Sequence, residues 1–272
     1  MPELPEVETV KRALVPALTG RTILRVELFS RALRTSLEPL AETLPQRKIL
    51  NIGRRARYIV ARLNDGCALV IHLGMTGVVR IENSSVPRRK HEHLFLHLDN
   101  GTIFRFEDVR RFGSLEVHPC GGNGLPSMFG GFGPEPLTDD FSAEYLFRRS
   151  RNVRCGVKNF IMNNTVVSGI GNIYATEILF AAGVNPRKEA GKLTWMQCGR
   201  MAEHAKKILQ SSIEAGGTTI ADFRQVDGSE GKFAIHLQIY GKAGKPCPLC
   251  GKVLKSLKLG GRTSVFCPQC QK

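Results

Sequence analysis

The first three residues of the chain place a nucleophile beside an acid. Pro2 is small enough to favour removal of Met1, which leaves the secondary amine of Pro2 as the amino terminus with Glu3 next to it. An α-amino group titrates near ~8, so a useful fraction is neutral at pH 7 and attacks an electrophilic carbon to give an iminium. A lysine titrates near ~10.4 and needs burial to do the same. The amino terminus therefore predicts Schiff-base chemistry.

The same stretch is also typical of a helix start. Apolar residues recur at helical spacing from Leu4 to Leu14, and Pro5 suits the first helical turn. Glu6 lies where the positive end of the helix dipole favours a carboxylate. The two interpretations are compatible, because a helix that begins here holds Pro2 and Glu3 rigidly at its mouth.

Four of the eight cysteines form two Cys-x-x-Cys pairs near the carboxyl end. Sixteen residues separate the pairs, which falls within the range of a four-thiolate zinc ribbon. Reduced thiols and a metal are favoured over disulfides in a chain without an export signal, and chance spacing is the alternative. A closed site of this kind stabilises folding and does not activate water. The predicted ligands of one structural Zn²⁺ are Cys247, Cys250, Cys267 and Cys270.

The charge balance predicts a polyanionic partner. The chain has 39 Lys and Arg against 24 Asp and Glu, a formal net charge of +15. Ribosomal and membrane-surface proteins share this signature, so charge alone favours nucleic acid without proving it. The first twenty residues carry three glutamates and no apolar h-region, and no run approaches the length of a membrane span. We therefore expect a soluble cytosolic protein that does not bind membranes.

Hydropathy periods divide the chain into a β-rich and a helical part, an α+β protein. Alternating apolar runs from Arg57 to Val117, with hairpin signals at Asp65-Gly66 and Asn100-Gly101, predict an antiparallel β-sandwich with flanking helices. Glycines and prolines mark a linker, and helical spacing follows it near 142–150, 153–163, 172–183 and 194–214. The predicted division is a β-rich domain 1–118, a linker 119–138, a helical domain 139–235 and a zinc finger 236–272.

Two further motifs suit nucleic-acid binding. The glycine-bearing loop from Ser168 to Tyr174 leads into an apolar helix, and backbone N–H groups at such a junction bind phosphate. A run of basic residues that ends with Arg154 and Lys158 precedes the loop and contains no acid, which fits a groove that follows the phosphates. Asp108 to Gly113 places Arg beside Phe, which suits an apolar wedge that unstacks a base step. Ordinary turns are the alternative for both motifs.

The segment PELPEVET, from Pro2 to Thr9, resembles the amino terminus of bacterial formamidopyrimidine-DNA glycosylases (the Fpg/MutM family), and matching motifs continue to the last residue. This resemblance implies a helix-two-turns-helix segment and a zinc-ribbon hairpin in the second half of the chain. It implies that Pro2 attacks the sugar C1′ of a damaged purine nucleotide, that Glu3 is the general acid and that Glu6 supports the site. The segment 216–231 resembles the family's loop that closes over the everted purine, with a plain surface loop as the alternative.

The resemblance also assigns DNA contacts. Met75, Arg110 and Phe112 match residues that fill the gap and read the orphaned cytosine, and His91 matches a DNA-contacting histidine. A metal site at His91 and His93, on one strand face, is a weak alternative. Contacts with phosphate are implied for Lys158, Asn172 and the finger arginine, Arg262.

One position departs from the family pattern. The family commonly has lysine where this chain has Arg57, in the motif Arg54-Arg55-Ala56-Arg57-Tyr58. Arginine keeps the positive charge and grips phosphate, but it does not release a proton near neutral pH. We therefore retain Arg57 as a site residue for phosphate positioning and not for proton transfer.

The sequence predicts a base-excision-repair enzyme, a bifunctional DNA glycosylase and AP lyase that removes oxidised purines such as 8-oxoguanine and formamidopyrimidines from duplex DNA. The expected form is a cytoplasmic, nucleoid-associated monomer that needs no nucleotide, flavin or catalytic metal. Two alternatives stay open: an oxidised-pyrimidine glycosylase of the same superfamily, and a non-catalytic zinc-ribbon nucleic-acid binder.

Overall fold

The computed structural model describes residues 1–218, 226 and 233–272, and the chain divides into two compact units. The first unit comprises Met1–Gly130 with Ala215–Ala234, and the second comprises Gly131–Glu214 with Ile235–Lys272. Most of the segment 216–231, which we predicted to be a purine-capping loop, lies outside the described residues. None of the described helices is long and apolar enough to cross a membrane.

The first unit is built on two four-stranded antiparallel sheets, which confirms the predicted sandwich. One sheet has the strand order β1-β6-β7-β5 and the other has the order β2-β3-β4-β8. The Asp65-Gly66 and Asn100-Gly101 turns join β3 to β4 and β6 to β7, as predicted. The strand bounds are β1 Ile23–Leu28, β2 Ile49–Arg55, β3 Tyr58–Leu63, β4 Cys67–His72, β5 Gly77–Asn83, β6 Glu92–Leu98, β7 Thr102–Asp108 and β8 Ser114–Pro119.

Helix α1, Leu4–Leu18, closes this sandwich. Val7, Val10 and Leu14 lie one helical turn apart and join a buried cluster to which both sheets contribute, including Ile59 and Phe104. Each such side chain stabilises the fold by about 2 kcal/mol when fully buried. A short helix, α2 (Glu38–Thr43), lies between β1 and β2.

The second unit is helical and ends in a two-stranded hairpin. Its helices are α3 Ala143–Ser150, α4 Val157–Ile161, α5 Asn172–Ala181 and α6 Trp195–Glu214, and the hairpin consists of β9 Lys255–Leu259 and β10 Arg262–Phe266. Three of the four predicted helices have close to the predicted bounds. The helix predicted for 153–163 is shorter, because Asn152 has a φ of +63° and Gly156 is extended at the helix start.

Candidate active site and nucleic-acid interface

The amino terminus lies at the mouth of α1, as the sequence predicts. Glu3 is the N-cap residue, and the helix follows directly with Pro5 in its first turn. Pro2 is buried and Glu3 is only 3% exposed, whereas Met1 is 46% exposed. With Met1 removed, as the sequence predicts, this arrangement would leave a proline amine in a protected position immediately before a buried carboxyl group.

Glu6 braces this site from within the first helical turn. Its Oε2 accepts the backbone N–H of Glu3 at 2.9 Å, and its Oε1 accepts the backbone N–H of Thr218 at 2.8 Å. Gly217 has a φ of +82°, and a Cβ there would lie 3.2 Å from Glu6 Cγ. The carboxylate of Glu6 therefore fixes both the backbone of Glu3 and the first residues of the 216–231 segment.

Glu8 joins α1 to the turn that carries Arg57. Its carboxylate accepts from Arg54 Nε at 3.0 Å and from Lys11 Nζ at 2.8 Å, and Arg54 Nη1 donates to the carbonyl of Ala56 at 2.8 Å. Burial opposes ionisation of Glu8, but Lys11 and Arg54 together hold its pKa below the ordinary value. Ala56 has a φ of +54°, and the turn delivers Arg57 as a side chain that is only 8% exposed.

Two loops bring the predicted wedge residues together. Met75 lies in the turn between β4 and β5, and Arg110 and Phe112 lie between β7 and β8. The Arg110 guanidinium carbon is 4.9 Å from the centroid of the Phe112 ring, and Phe112 is 47% exposed. A Cβ on Gly74 would lie 2.4 Å from the backbone nitrogen of Gly113, so only glycine allows the two loops to approach this closely. The result is an exposed aromatic ring beside a cation.

The histidines do not form a metal site. We had expected His91 and His93 to share one face of a strand. Strand β6 begins at Glu92, so His91 lies before the strand and only His93 is part of it. The His93 ring is buried, with Nδ1 2.8 Å from Ser30 Oγ and Nε2 2.8 Å from the carbonyl of Asp108. Burial lowers the pKa of His93. In the described ranges, the only group of three or more possible metal ligands is the cysteine cluster.

His72 is expected to make the stability of the first unit depend on pH. Burial first, and then the positive charges of Arg34 and Arg57, lower the pKa of His72 from 6.5 to about 4. Between these values the unfolded chain holds a proton that the folded chain does not, so lowering the pH through this window destabilises the fold by about 3 kcal/mol. Above 6.5 the contribution is constant. We expect His72→Gln to lose less stability than the wild type between pH 7 and pH 4.5 in urea titrations, and identical losses would contradict this assignment.

In the second unit, the glycine-bearing loop ends at α5. Gly169 has a φ of +83°, Gly171 caps the helix and Asn172 is its first residue. Asn172 Nδ2 lies 3.5 Å from the hydroxyl of Tyr240, and no hydrogen-bond partner for the buried Oδ1 is found among the described residues. The amide oxygen of Asn172 is thus available for a polar ligand.

Sequence reasoning missed Glu177, which holds Tyr240 in place. The buried carboxylate of Glu177 accepts the backbone N–H groups of Gln238, Ile239 and Tyr240 at 2.8, 3.0 and 2.7 Å. The available signal was a lone acid in the otherwise apolar α5, since a buried charge needs several donors.

Lys158 lies in the interior, where it joins three elements. The residue is 1% exposed, and its Nζ donates to Thr176 Oγ1 of α5 at 2.8 Å and to Ser264 Oγ of β10 at 2.7 Å. Arg154 is exposed. Within the basic run, Arg151 donates to the carbonyl of Leu193 at 2.7 Å and packs over Phe147, so it holds the fold and does not lie open to solvent.

The four cysteines converge as the spacing predicts. Their sulfur atoms all lie within 4.8 Å of one another, with Cys247 to Cys270 at 3.9 Å and Cys250 to Cys267 at 3.5 Å. Zn–S bonds of ~2.3 Å in a tetrahedron place sulfur atoms ~3.8 Å apart, so the four residues fit a single metal ion.

Arg262 begins β10, next to the tip of the hairpin. Gly260 and Gly261 form the turn with φ values of +53° and +75°, and Arg262 pairs with Leu259 and is exposed. A Cβ on Gly260 would lie 3.1 Å from Asn159 Oδ1, so the tip lies close to α4. The arginine is therefore presented at a defined position.

Comparisons with known proteins cover these same segments. The family described as Formamidopyrimidine-DNA glycosylase N-terminal domain matches residues 1–115, the Formamidopyrimidine-DNA glycosylase H2TH domain matches 132–224, and a zinc finger found in FPG and IleRS matches 244–272. A formamidopyrimidine-DNA glycosylase of Stenotrophomonas maltophilia is 47% identical over 273 residues, with 100% of both chains covered.

Two solved structures share the fold with 100% of both chains covered. A Lactococcus lactis FPG mutant, in complex with DNA that contains Fapy-dG, has a TM-score of 0.91 and 34% identity. MutM, in complex with DNA that contains carbocyclic 8-oxo-G, has a TM-score of 0.90 and 35% identity. The similarity extends over the amino-terminal pair, the loop before α5 and the cysteine cluster.

Proposed function

Because the chain belongs to the formamidopyrimidine-DNA glycosylase family, we propose that it excises oxidised purines from duplex DNA in base excision repair and then cuts the strand as an AP lyase. The observation that carries the proposal is the buried Pro2 and Glu3 pair at the mouth of α1, braced by Glu6. The relatives' complexes with Fapy-dG and 8-oxo-G DNA support the substrate class.

The chemistry follows from the order of the first residues. The neutral amine of Pro2 attacks C1′ of the everted nucleotide, and the bond from C1′ to the base breaks with its electron pair on the base, which takes up the proton that the amine loses. Glu3 donates a proton to the sugar oxygen, so the ring opens and leaves an iminium between Pro2 and C1′. The resulting iminium acidifies the C2′ hydrogen, so loss of that proton expels the 3′ phosphate, and a second elimination expels the 5′ phosphate. Arg57 and Arg262 hold phosphates during these steps, and neither transfers a proton, because a guanidinium does not deprotonate.

Extrusion of the damaged nucleotide costs a few kcal/mol, which contacts with the DNA must offset. Met75, Arg110 and Phe112 fill the gap, and Arg110 reads the cytosine that is left behind. His91, Arg154 and Asn172 bind phosphates, and Lys158 supports this surface from inside by ordering β10 against α5. The predicted domain bounds, 1–118, 139–235 and 236–272, remain our proposal for how these roles divide.

The cysteine cluster would hold one Zn²⁺ through Cys247, Cys250, Cys267 and Cys270. Four thiolates leave no open coordination position, so the metal supplies folding free energy and no reaction chemistry. We propose that the protein acts as a monomer in the cytosol, on damaged DNA of the nucleoid. The charge of +15 supports the DNA partner.

Reductive trapping tests the proposal. Borohydride added during turnover of a duplex that contains 8-oxoguanine opposite cytosine should crosslink the protein to DNA through Pro2. A thymine glycol duplex should trap less; preferential trapping there would assign the protein to oxidised pyrimidines. Binding without any crosslink would identify a non-catalytic binder. Intact mass, measured first, should show the loss of Met1.

Glu3→Gln should separate the two activities. Without the proton donor, release of 8-oxoguanine should fall on the order of 10²- to 10⁴-fold. Cleavage at a preformed abasic site should fall much less, because the base has already left and the sugar ring opens to the aldehyde without the proton of Glu3. The exposed Glu38→Gln is the matched control and should retain both rates. Equal losses of the two activities in Glu3→Gln would contradict the assignment of Glu3 as the acid for base release.

A further inference from the structure

Asp108, at the end of β7, is completely buried and is hydrogen-bonded to both loops that carry the predicted wedge residues. Its Oδ1 accepts from the hydroxyl of Thr76 and from the backbone N–H of Arg110 at 3.2 Å, and its Oδ2 accepts the backbone N–H of Gly113 at 2.7 Å. Thr76 Oγ1 in turn accepts the N–H of Arg110 at 3.0 Å. The single carboxylate therefore links the residue after Met75 to both ends of the loop that carries Arg110 and Phe112.

The backbone of Asp108 extends the same network to the histidines. Its N–H donates to the carbonyl of His91 at 3.0 Å, and its carbonyl faces His93 Nε2 at 2.8 Å. Four residues with proposed DNA contacts, Met75, His91, Arg110 and Phe112, are thus each bonded to Asp108 directly or through a chain neighbour.

The loop needs this support because its conformation is not one that the sequence adopts freely. Arg111 has a φ of +57°, which is unfavourable for a side chain with a Cβ. The hydrogen bond from Gly113 to Asp108 closes the loop across this residue. A Cβ on Gly113 would lie 3.1 Å from Asp108 Oδ2 and 2.8 Å from Phe106 Cζ. The carboxylate of Asp108 can therefore approach this closely only because residue 113 is a glycine.

We propose that Asp108, together with the Thr76 hydroxyl, is a positioning residue that holds Met75, Arg110 and Phe112 as one rigid probe and thereby sets the discrimination of the base opposite the lesion. The proposal rests on the proposed glycosylase function. Asp108 is 0% exposed, so it acts through the probe and does not touch DNA. A negative charge at this place weakens the attraction between the protein and the DNA phosphates. The role of Asp108 is therefore not to increase the affinity for phosphate.

The test compares Asp108→Asn, Thr76→Val and Thr76→Ser. An asparagine amide nitrogen cannot accept a hydrogen bond, so Asp108→Asn loses one side of the clamp, and the isosteric Thr76→Val loses the hydroxyl bond. In both, we expect the ratio of kcat/KM for 8-oxoguanine opposite cytosine to that opposite adenine to fall about tenfold. Binding to undamaged duplex should stay at the wild-type level or tighten in Asp108→Asn. Thr76→Ser, which keeps the hydroxyl, should restore the wild-type ratio.

Each outcome decides the proposal. Wild-type opposite-base ratios in folded Asp108→Asn and Thr76→Val would overturn it, as would a loss of ratio in Thr76→Ser equal to that in Thr76→Val. If Asp108→Asn does not fold, the Thr76 pair gives the answer alone. If the wild-type protein releases no 8-oxoguanine, the proposed function is refuted instead. The wild-type rate therefore tests the proposed function, and the ratios of the variants test the role of Asp108.

Discussion

Pro2→Gly is expected to lower the rate of 8-oxoguanine release on the order of a hundredfold or more, and to lower the yield of borohydride-trapped complex with it. Glycine still provides a terminal amine, but it lacks the pyrrolidine ring that holds the nitrogen and its lone pair in one orientation. A nucleophile misplaced by about 1 Å loses about 10²-fold in rate. The buried setting of Pro2 and the cap at Glu3 make that orientation specific in the wild type.

Two controls make this prediction specific to the amine. Pro5→Ala removes a second buried proline, which lies in the first turn of α1, and should leave the trapped yield close to wild type. Protein that retains Met1 has an amide at Pro2 and no free lone pair, so it should give no crosslink at all. A Pro2→Gly enzyme with the wild-type rate of base release, or a crosslink in protein that keeps Met1, would refute the Schiff-base mechanism.

The local features of this fold could be predicted from sequence, because their signals are local. Alternation predicted seven of the eight strands of the first unit, namely β1 at Thr22 to Phe29 and the six strands from β3 to β8. Asp-Gly and Asn-Gly turns predicted two hairpins, and cysteine spacing predicted the cluster. Strand β2 was missed: it runs Ile-Leu-Asn-Ile-Gly-Arg-Arg with no steady alternation and with Gly53 inside it. The six-residue α2 is too short for a helical period to show.

The contacts that position the site could not be predicted in the same way, because the partners are far apart in sequence. Asp108 meets Thr76 across 32 residues, Lys158 meets Ser264 across 106, and Glu6 meets Thr218 across 212. No spacing rule joins such positions. The sequence therefore marked residues such as Arg110 and Phe112, whose types suggest chemistry, and missed Asp108 and Glu177, which act by holding backbone N–H groups.

Removal of the proposed zinc ion is expected to weaken binding to damaged DNA strongly. The core around the cysteine cluster is small, and two of its buried members, Cys247 and Cys267, are themselves cysteines. The other members include Ile239, Leu254 and Val265, which together bury too little apolar surface to hold a hairpin without a further tie. Metal binding in such sites contributes about 10–16 kcal/mol in isolated zinc-finger peptides. We therefore expect the metal-free hairpin to unfold and to release Arg262 from its defined position.

Cys250→Ser and Cys155→Ser form the matched pair for this prediction. Cys250 belongs to the cluster, whereas Cys155 is an exposed cysteine outside it. Cys250→Ser, or chelation of the wild type, should remove about one equivalent of zinc measured by elemental analysis and weaken binding to an abasic-site duplex at least about a hundredfold, which corresponds to ~2.7 kcal/mol. Cys155→Ser should keep both the metal and the affinity. Four thiolates leave no catalytic position on the ion, so a zinc-free variant that still binds DNA should also cleave it. Tight DNA binding by a zinc-free variant would contradict the prediction. It would show that the hairpin folds without the metal and that the cluster does not order Arg262.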